Sequence, residues 1–219
     1  MGESVNMTRR AMLTASAAGA CALALGAAAV SGKEAAASEA SSGSNAEGVR
    51  YGFLTALSRC SGCGRCVEAC RKENGLSDDT PDRRRVSSFK RSRGRTFFIS
   101  TSCMHCADPS CMKVCPAGAI SKDEHGVVKV DPNLCIGCKY CYQACPYEVP
   151  QYNSVSMDKC DCCQKAGVAL GEEDPYCVRA CKFGALKFGP LDELLEATNG
   201  SAVPIAELND PSCLVLGTE

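Results

Sequence analysis

The stretch Cys60-Ser61-Gly62-Cys63-Gly64-Arg65-Cys66-Val67-Glu68-Ala69-Cys70 reads C-x2-C-x2-C-x3-C. Three sulfurs held within seven residues can face a single point, and a fourth follows one helical turn later. The same spacing returns at Cys135, Cys138, Cys141 and Cys145. Cys103, Cys106, Cys111 and Cys115 repeat it with four residues in the middle gap, and Cys160, Cys163, Cys177 and Cys181 repeat it with a long gap. Sixteen of the 19 cysteines are thereby placed in four groups of four, the ligand count for four [4Fe-4S] clusters.

Other uses of cysteine fit less well. Nineteen cysteines in 219 residues approaches a disulfide-scaffold composition. Disulfides, however, need paired Cβ vectors rather than three sulfurs converging from one loop. Zinc sites use two separated C-x2-4-C pairs or Cys/His mixtures, and the chain has only two histidines. Aromatic residues make up 5% of the chain and Trp is absent, so a side-chain core would be thin. Inorganic clusters can take its place. The formal charge of −1 gives no sign of a nucleic-acid partner.

Gly62 and Gly64 flank Cys63, and Gly137 precedes Cys138. Glycine lets a loop wrap closely and aim backbone N–H groups at an anion. Pro116 and Pro146 follow Cys115 and Cys145, the C-P ending of bacterial ferredoxin runs. Each group is expected to be a short strand, a cluster loop and a helical turn or two carrying the last cysteine. In two-cluster ferredoxins the fourth cysteine of a run serves the other cluster. Groups two and three should therefore pair, and so should groups one and four. The expected fold is α+β: tandem bacterial ferredoxin-like units, two interlocked dicluster modules of short strands, cluster loops and short helices.

From about Gly48 to Gly189 the chain resembles the iron–sulfur subunits of the dimethyl sulfoxide reductase type. Within them it most resembles the subunit that serves formate-dependent nitrite reductase. The resemblance is carried by Gly48-Val49-Arg50-Tyr51-Gly52, Ser102-Cys103-Met104-His105-Cys106, Cys138-Lys139-Tyr140-Cys141 through Ala144-Cys145-Pro146-Tyr147, and Asp158-Lys159-Cys160-Asp161. It implies four ligand sets: Cys60, Cys63, Cys66 with Cys181; Cys160, Cys163, Cys177 with Cys70; Cys103, Cys106, Cys111 with Cys145; and Cys135, Cys138, Cys141 with Cys115. Some relatives hold a three-iron cluster where the third position of group two is not cysteine; Cys111 is present here, which implies four irons. Two departures fall in group four. Lys182 stands where such subunits often have Pro, and Cys162 where an aromatic is common. Cys163 rather than Cys162 keeps the C-x2-C spacing from Cys160.

The resemblance further implies a non-catalytic electron-transfer subunit. It would relay electrons between a membrane quinone or cytochrome component and a catalytic oxidoreductase subunit, of molybdopterin or multihaem nitrite reductase type. The alternative is a free-standing soluble polyferredoxin shuttle. No C-x-x-C-H haem site, Gly-rich nucleotide loop or Walker motif is present, and no small-molecule substrate site is read. His105, between two group-two cysteines, is expected to pack rather than to tune a cluster.

Residues 1–37 read as a twin-arginine export signal: Arg9 and Arg10, then a weakly apolar Ala/Gly/Leu run to Val30, with small-residue cleavage candidates at Ala27–Ala29 and Ala35–Ala37. That route carries proteins already folded around cofactors, so the protein is expected in the periplasm or on the outer face of the cytoplasmic membrane. Cys21 is a passenger in this segment. Residues 38–48 form a flexible tether, residues 49–189 the four-cluster domain, and residues 190–219 a tail. A hairpin is expected where Ala119-Ile120 and Val127–Val130 bracket Lys122–Gly126. A strand is expected over Ala185–Phe188, followed by a brief helix over Leu191–Leu195 and then loops. Arg83, Arg84, Arg85, Lys90, Arg91, Arg93 and Arg95 crowd one stretch and read as a solvated loop or hairpin. Cys213 reads as a free buried thiol.

Overall fold

A computed structural model of the protein describes residues 48–90, 94–153 and 155–217. The expected signal region, the tether up to Glu47, Arg91 and Arg93 lie outside the described residues. Along the chain, strand β1 (Tyr51–Ala56) leads into the first cysteine loop and helix α1 (Arg65–Glu73). Strands β2 (Arg85–Lys90) and β3 (Thr96–Thr101) form an antiparallel hairpin, and helix α2 (Ser110–Lys113) follows the second loop. A second hairpin, β4 (Ile120–Lys122) with β5 (Val128–Val130), precedes the third loop and helix α3 (Tyr140–Ala144). A two-residue pair, β6 (Gln151–Tyr152) and β7 (Met157–Asp158), leads to the fourth loop and helix α4 (Tyr176–Arg179). Strand β8 (Leu186–Pro190), helix α5 (Leu191–Glu196) and strands β9 (Ala202–Pro204) and β10 (Cys213–Leu216) complete the fold.

The strand–loop–helix repeat expected from the cysteine groups is present four times, and the hairpin at 120–130 and the strand at 186–190 stand where the sequence placed them. The C-terminal segment differs from expectation. Residues 190–219 are not a tail set apart at 189: β10 pairs parallel with β1, Phe53 opposite Cys213 and Leu54 opposite Leu214, within a sheet of order β8-β1-β10-β9. The reason is burial. Alternation along a strand sends neighbouring side chains to opposite faces. Leu54 and Leu214 pack with Leu194 of α5 and Ala202 on one face, while Phe53 and Cys213 join the buried cluster around Cys103, Cys160 and Cys177 on the other. Without β10, both faces of β1 would lose their neighbour. Gly52 marks the closeness of this seam, since a Cβ there would lie 2.1 Å from the Ser212 carbonyl oxygen.

The arginine run also differs. Arg85, Lys90 and Arg95 are exposed, as a solvated hairpin requires, but Arg83 and Arg84 turn inward. Arg83 forms a two-pronged ion pair with Asp158, Nε and Nη2 both donating at 2.7 Å, and it also donates to Asn74 Oδ1 at 2.9 Å. Arg84 is 1% exposed. Inward guanidinium groups need anionic or acceptor surroundings, and here these come from the region of the cysteine loops.

Candidate metal centres

The last two cysteines of each group sit four residues apart on or just beyond a short helix: Cys66/Cys70, Cys111/Cys115, Cys141/Cys145 and Cys177/Cys181. Residues i and i+4 share a helix face but are about 6 Å apart along the axis. One helix therefore delivers one sulfur to each of two neighbouring centres. The fold uses this property four times, with α1 packed on α4 and α2 packed on α3.

Three cavities result, each walled by four cysteines. Site I is lined by Cys60, Cys63, Cys66 and Cys181. Site III is lined by Cys103, Cys106, Cys111 and Cys145, and site IV by Cys115, Cys135, Cys138 and Cys141. The remaining four, Cys70, Cys160, Cys163 and Cys177, are all buried and act electrostatically on one another. The Asn74 side-chain amide spans two of them, at 4.0 Å from Cys70 Sγ and 3.5 Å from Cys163 Sγ; these four form site II. At each site three sulfurs come from one loop and the fourth from the partner helix.

The loops share a backbone signature. The residue before the second cysteine of every group has a positive φ: Gly62 at 74°, His105 at 43°, Gly137 at 67° and Cys162 at 56°. At Gly62 a side chain is also barred by space, because a Cβ would meet the Phe98 ring at 2.4 Å. Cys162 thus occupies the hinge position of its loop, equivalent to Gly62 and Gly137, and Cys163 occupies the position of the second thiol. Cys162 is fully buried, with Sγ 3.3 Å from His105 Nε2. His105 Nδ1 accepts the Val128 N–H at 3.1 Å, so Nε2 carries the ring proton and donates to that sulfur. His105 is therefore packed, as expected, and also hydrogen-bonded between sites II and III. Cys213 is a buried free thiol facing the Cys103 carbonyl.

The polar groups that touch the tetrads had no signal in the sequence. In site I the Ser100 hydroxyl lies 3.3 Å from Cys66 Sγ, and the Leu186 N–H donates to Cys181 Sγ at 3.4 Å. The Cys162 N–H donates to Cys160 Sγ in site II, and the Met157 N–H to Cys135 Sγ in site IV, each at 3.4 Å. The Tyr152 hydroxyl is 3.0 Å from Cys141 Sγ. Lys159, buried, lines site III and donates to the Val128 and Cys160 carbonyls. Seryl, amide and tyrosyl donors of this kind are ordinary residue types; only their placement gives them a role.

The tetrads suit an iron–sulfur cluster in their chemistry. All 18 cysteines among the described residues are free thiols. Burial first, then repulsion from Cys103 and the other thiols of site III, pushes Cys106 and Cys111 up to about 12. Burial and the Cys160 and Cys177 sulfurs push Cys70 upward as well. Four crowded thiols of this kind ionise at neutral pH only with a compensating cation at their centre, which iron supplies. A buried donor left without a protein acceptor, Arg84 Nε, lies among the sulfurs of sites I and II, as expected where an anionic group belongs.

Comparison with known proteins points the same way. Two family models described as 4Fe-4S dicluster domain match residues 59–119 and 95–191. The chain is 42% identical over 171 residues to the B subunit of anaerobic dimethyl sulfoxide reductase from Escherichia coli (strain K12), covering 73% of this chain and 82% of that protein. It is 38% identical over 184 residues to the B subunit of the same reductase from Haemophilus influenzae, covering 76% and 88%. It is 40% identical over 158 residues to Protein NrfC of Escherichia coli (strain K12), covering 68% and 69%.

Proposed function

Because the chain belongs to the family of iron–sulfur electron-transfer subunits of the dimethyl sulfoxide reductase type, we propose that it relays electrons between a membrane quinone or cytochrome component and a catalytic oxidoreductase subunit. Members of this family are electron-transfer rather than catalytic subunits, and the cofactor is four [4Fe-4S] clusters. The observation that carries the reading is the sorting of sixteen thiols into four tetrads, each drawing its fourth sulfur from a partner helix. We assign the clusters to sites I to IV with those ligands, forming two interlocked pairs, I with II and III with IV.

When bound, each cluster supplies one-electron chemistry. The protein's part is to order, insulate and bias the four sites. Sites I and II share α1 and α4, sites III and IV share α2 and α3, and the His105 and Lys159 side chains join II to III. That gives the linear order I–II–III–IV. Cys63 of site I and Cys138 of site IV are the exposed thiols among the sixteen, whereas all four of site II are buried. Exposed apolar side chains stand beside each end, Phe183 near site I and Ile136 and Tyr140 near site IV. Buried middle sites with exposed, apolar-rimmed ends suit a conduit with a separate partner at each end. No helix among the described residues is long and apolar enough to cross a membrane, so contact with a quinone would fall to another subunit. Relatives of the dimethyl sulfoxide reductase and nitrite reductase kinds match at 42% and 40% identity, and the two terminal acceptors are equally compatible with this reading.

The test is anaerobic isolation of the full chain from its own cells. About sixteen irons per chain and co-elution with a molybdopterin or multihaem subunit are expected. A stable monomer that keeps its iron would favour the soluble shuttle, and zinc without iron would refute the cluster reading. Export by the twin-arginine route to the outer face of the membrane is part of the proposal. It is tested by Arg9→Lys/Arg10→Lys, which should hold the protein in the cytoplasm with its clusters loaded.

A further inference from the structure

Among the described residues a single buried side-chain polar atom has no hydrogen-bond partner, and it is Arg84 Nε. Arg84 stands just before β2, with its guanidinium 4.4 Å above the centre of the Phe53 ring. Its Nη1 donates to Ser100 Oγ at 3.1 Å and its Nη2 to Ser102 Oγ at 2.9 Å. Both acceptors are neutral hydroxyls, so neither compensates the charge. An unpaired, fully buried guanidinium is strongly unfavourable, and an arginine cannot shed its proton to escape the cost. The anionic partners must therefore be sulfur. The sulfurs of Cys177 and Cys160, then of Cys66 and Cys70, are the ones that act on its charge. These belong to sites II and I. Ser100 links the same group to site I a second way, because its hydroxyl also lies 3.3 Å from Cys66 Sγ.

We propose that Arg84 is a positioning cation shared by the clusters of sites I and II, with its Nε–H reserved for sulfur of the site II cluster and its Nη1 coupled through Ser100 to Cys66 of site I. The proposal rests on the four-cluster reading above. A fixed positive charge between two anionic centres favours the electron-rich state of both and so raises both reduction potentials. Sites III and IV have no hydrogen-bonded link to Arg84 and should not respond in the same way. The role belongs to this arginine alone: its neighbour Arg83, equally inward, is neutralised by Asp158.

The experiment is a redox titration of the full, cluster-loaded chain followed by electron paramagnetic resonance, with iron per chain measured first. Arg84→Gln should retain about sixteen irons and lower two of the four midpoint potentials. Each should move by a tenfold or greater shift in the oxidised-to-reduced ratio, or 59 mV for a one-electron couple. Arg84→Lys, which keeps the charge, should recover at least half of each shift. Ser100→Ala should move one potential only. Four unchanged potentials in Arg84→Gln, or four that fall together, would overturn the proposal. Equal loss of iron in the Gln and Lys variants would also overturn it, by making the residue purely structural. Wild-type protein without iron would instead overturn the four-cluster reading on which it rests.

Discussion

Replacing Tyr152 by Phe removes one oxygen and nothing else from site IV. The Tyr152 hydroxyl lies 3.0 Å from Cys141 Sγ, and the ring is held from the other side by Lys139 Nζ at 5.6 Å from its centre. The ring should therefore stay in place when the hydroxyl goes. A hydrogen bond to a charged acceptor contributes roughly 1.5–3 kcal/mol when dry. Tyr152 is half-buried, so water can partly replace it, and about 0.5–1.5 kcal/mol is the reasonable differential between the reduced and oxidised states. At 59 mV per tenfold change for one electron, that is a fall of about 20–65 mV in one midpoint potential. The sign follows because the more negative, reduced state gains more from a donor. The assay is a potentiometric titration of the loaded protein, with iron content as control. A rise in potential, or equal movement of all four, would refute the argument that the hydroxyl acts locally on Cys141.

Breaking the Arg83–Asp158 pair should destabilise the protein most of all the single changes considered: both side chains are largely buried, and removing one partner of such a pair costs about 3–5 kcal/mol. Arg83→Met should lower the thermal midpoint and speed iron loss, and the Arg83→Met/Asp158→Asn double variant should regain part of the deficit. Cys163→Ala should alter or remove one cluster and lower the iron count, whereas Cys162→Ala and Cys213→Ala should leave about sixteen irons by chemical analysis. Burial raises the Asp123 carboxyl, but hydrogen bonds from Gln164 and Lys129 and the Val127 N–H outweigh it and hold the group below the ordinary carboxylate range. Its stabilisation is therefore complete above the unfolded carboxylate value and is lost as pH falls through the lower folded one. Asp123→Asn should weaken the β4–β5 hairpin at neutral pH, seen as faster amide exchange at Val127, with the gap to wild type closing in acid.

The parts of the fold that were legible in the sequence are local. The β4–β5 hairpin announces itself by apolar pairs flanking a polar, Gly-containing turn, and α5 by its short Leu pattern. The β10 strand was not legible, because a four-residue apolar run says nothing about a partner strand about 160 residues earlier. Arg83 and Arg84 were misread for a related reason. A run of cations is normally solvated, and only the arrival of Asp158, Asn74 and the cysteine loops makes two of them interior. Cys162 departed from the usual pattern in sequence, and the backbone resolves it: the residue fills a left-handed hinge position.

The cysteine spacing by itself determined that this protein holds metal, how many centres it has and which groups should pair. Three sulfurs in seven residues leave few other uses, and the i, i+4 step of a helix forces the fourth onto a neighbouring centre. The tertiary structure alone decided the order of the sites, which thiols face solvent and which donors bias them. Those properties depend on what distant segments bring alongside the loops, such as Ser100 from β3, Tyr152 from β6 and Arg84 from the edge of β2, and no local pattern in the chain encodes that proximity.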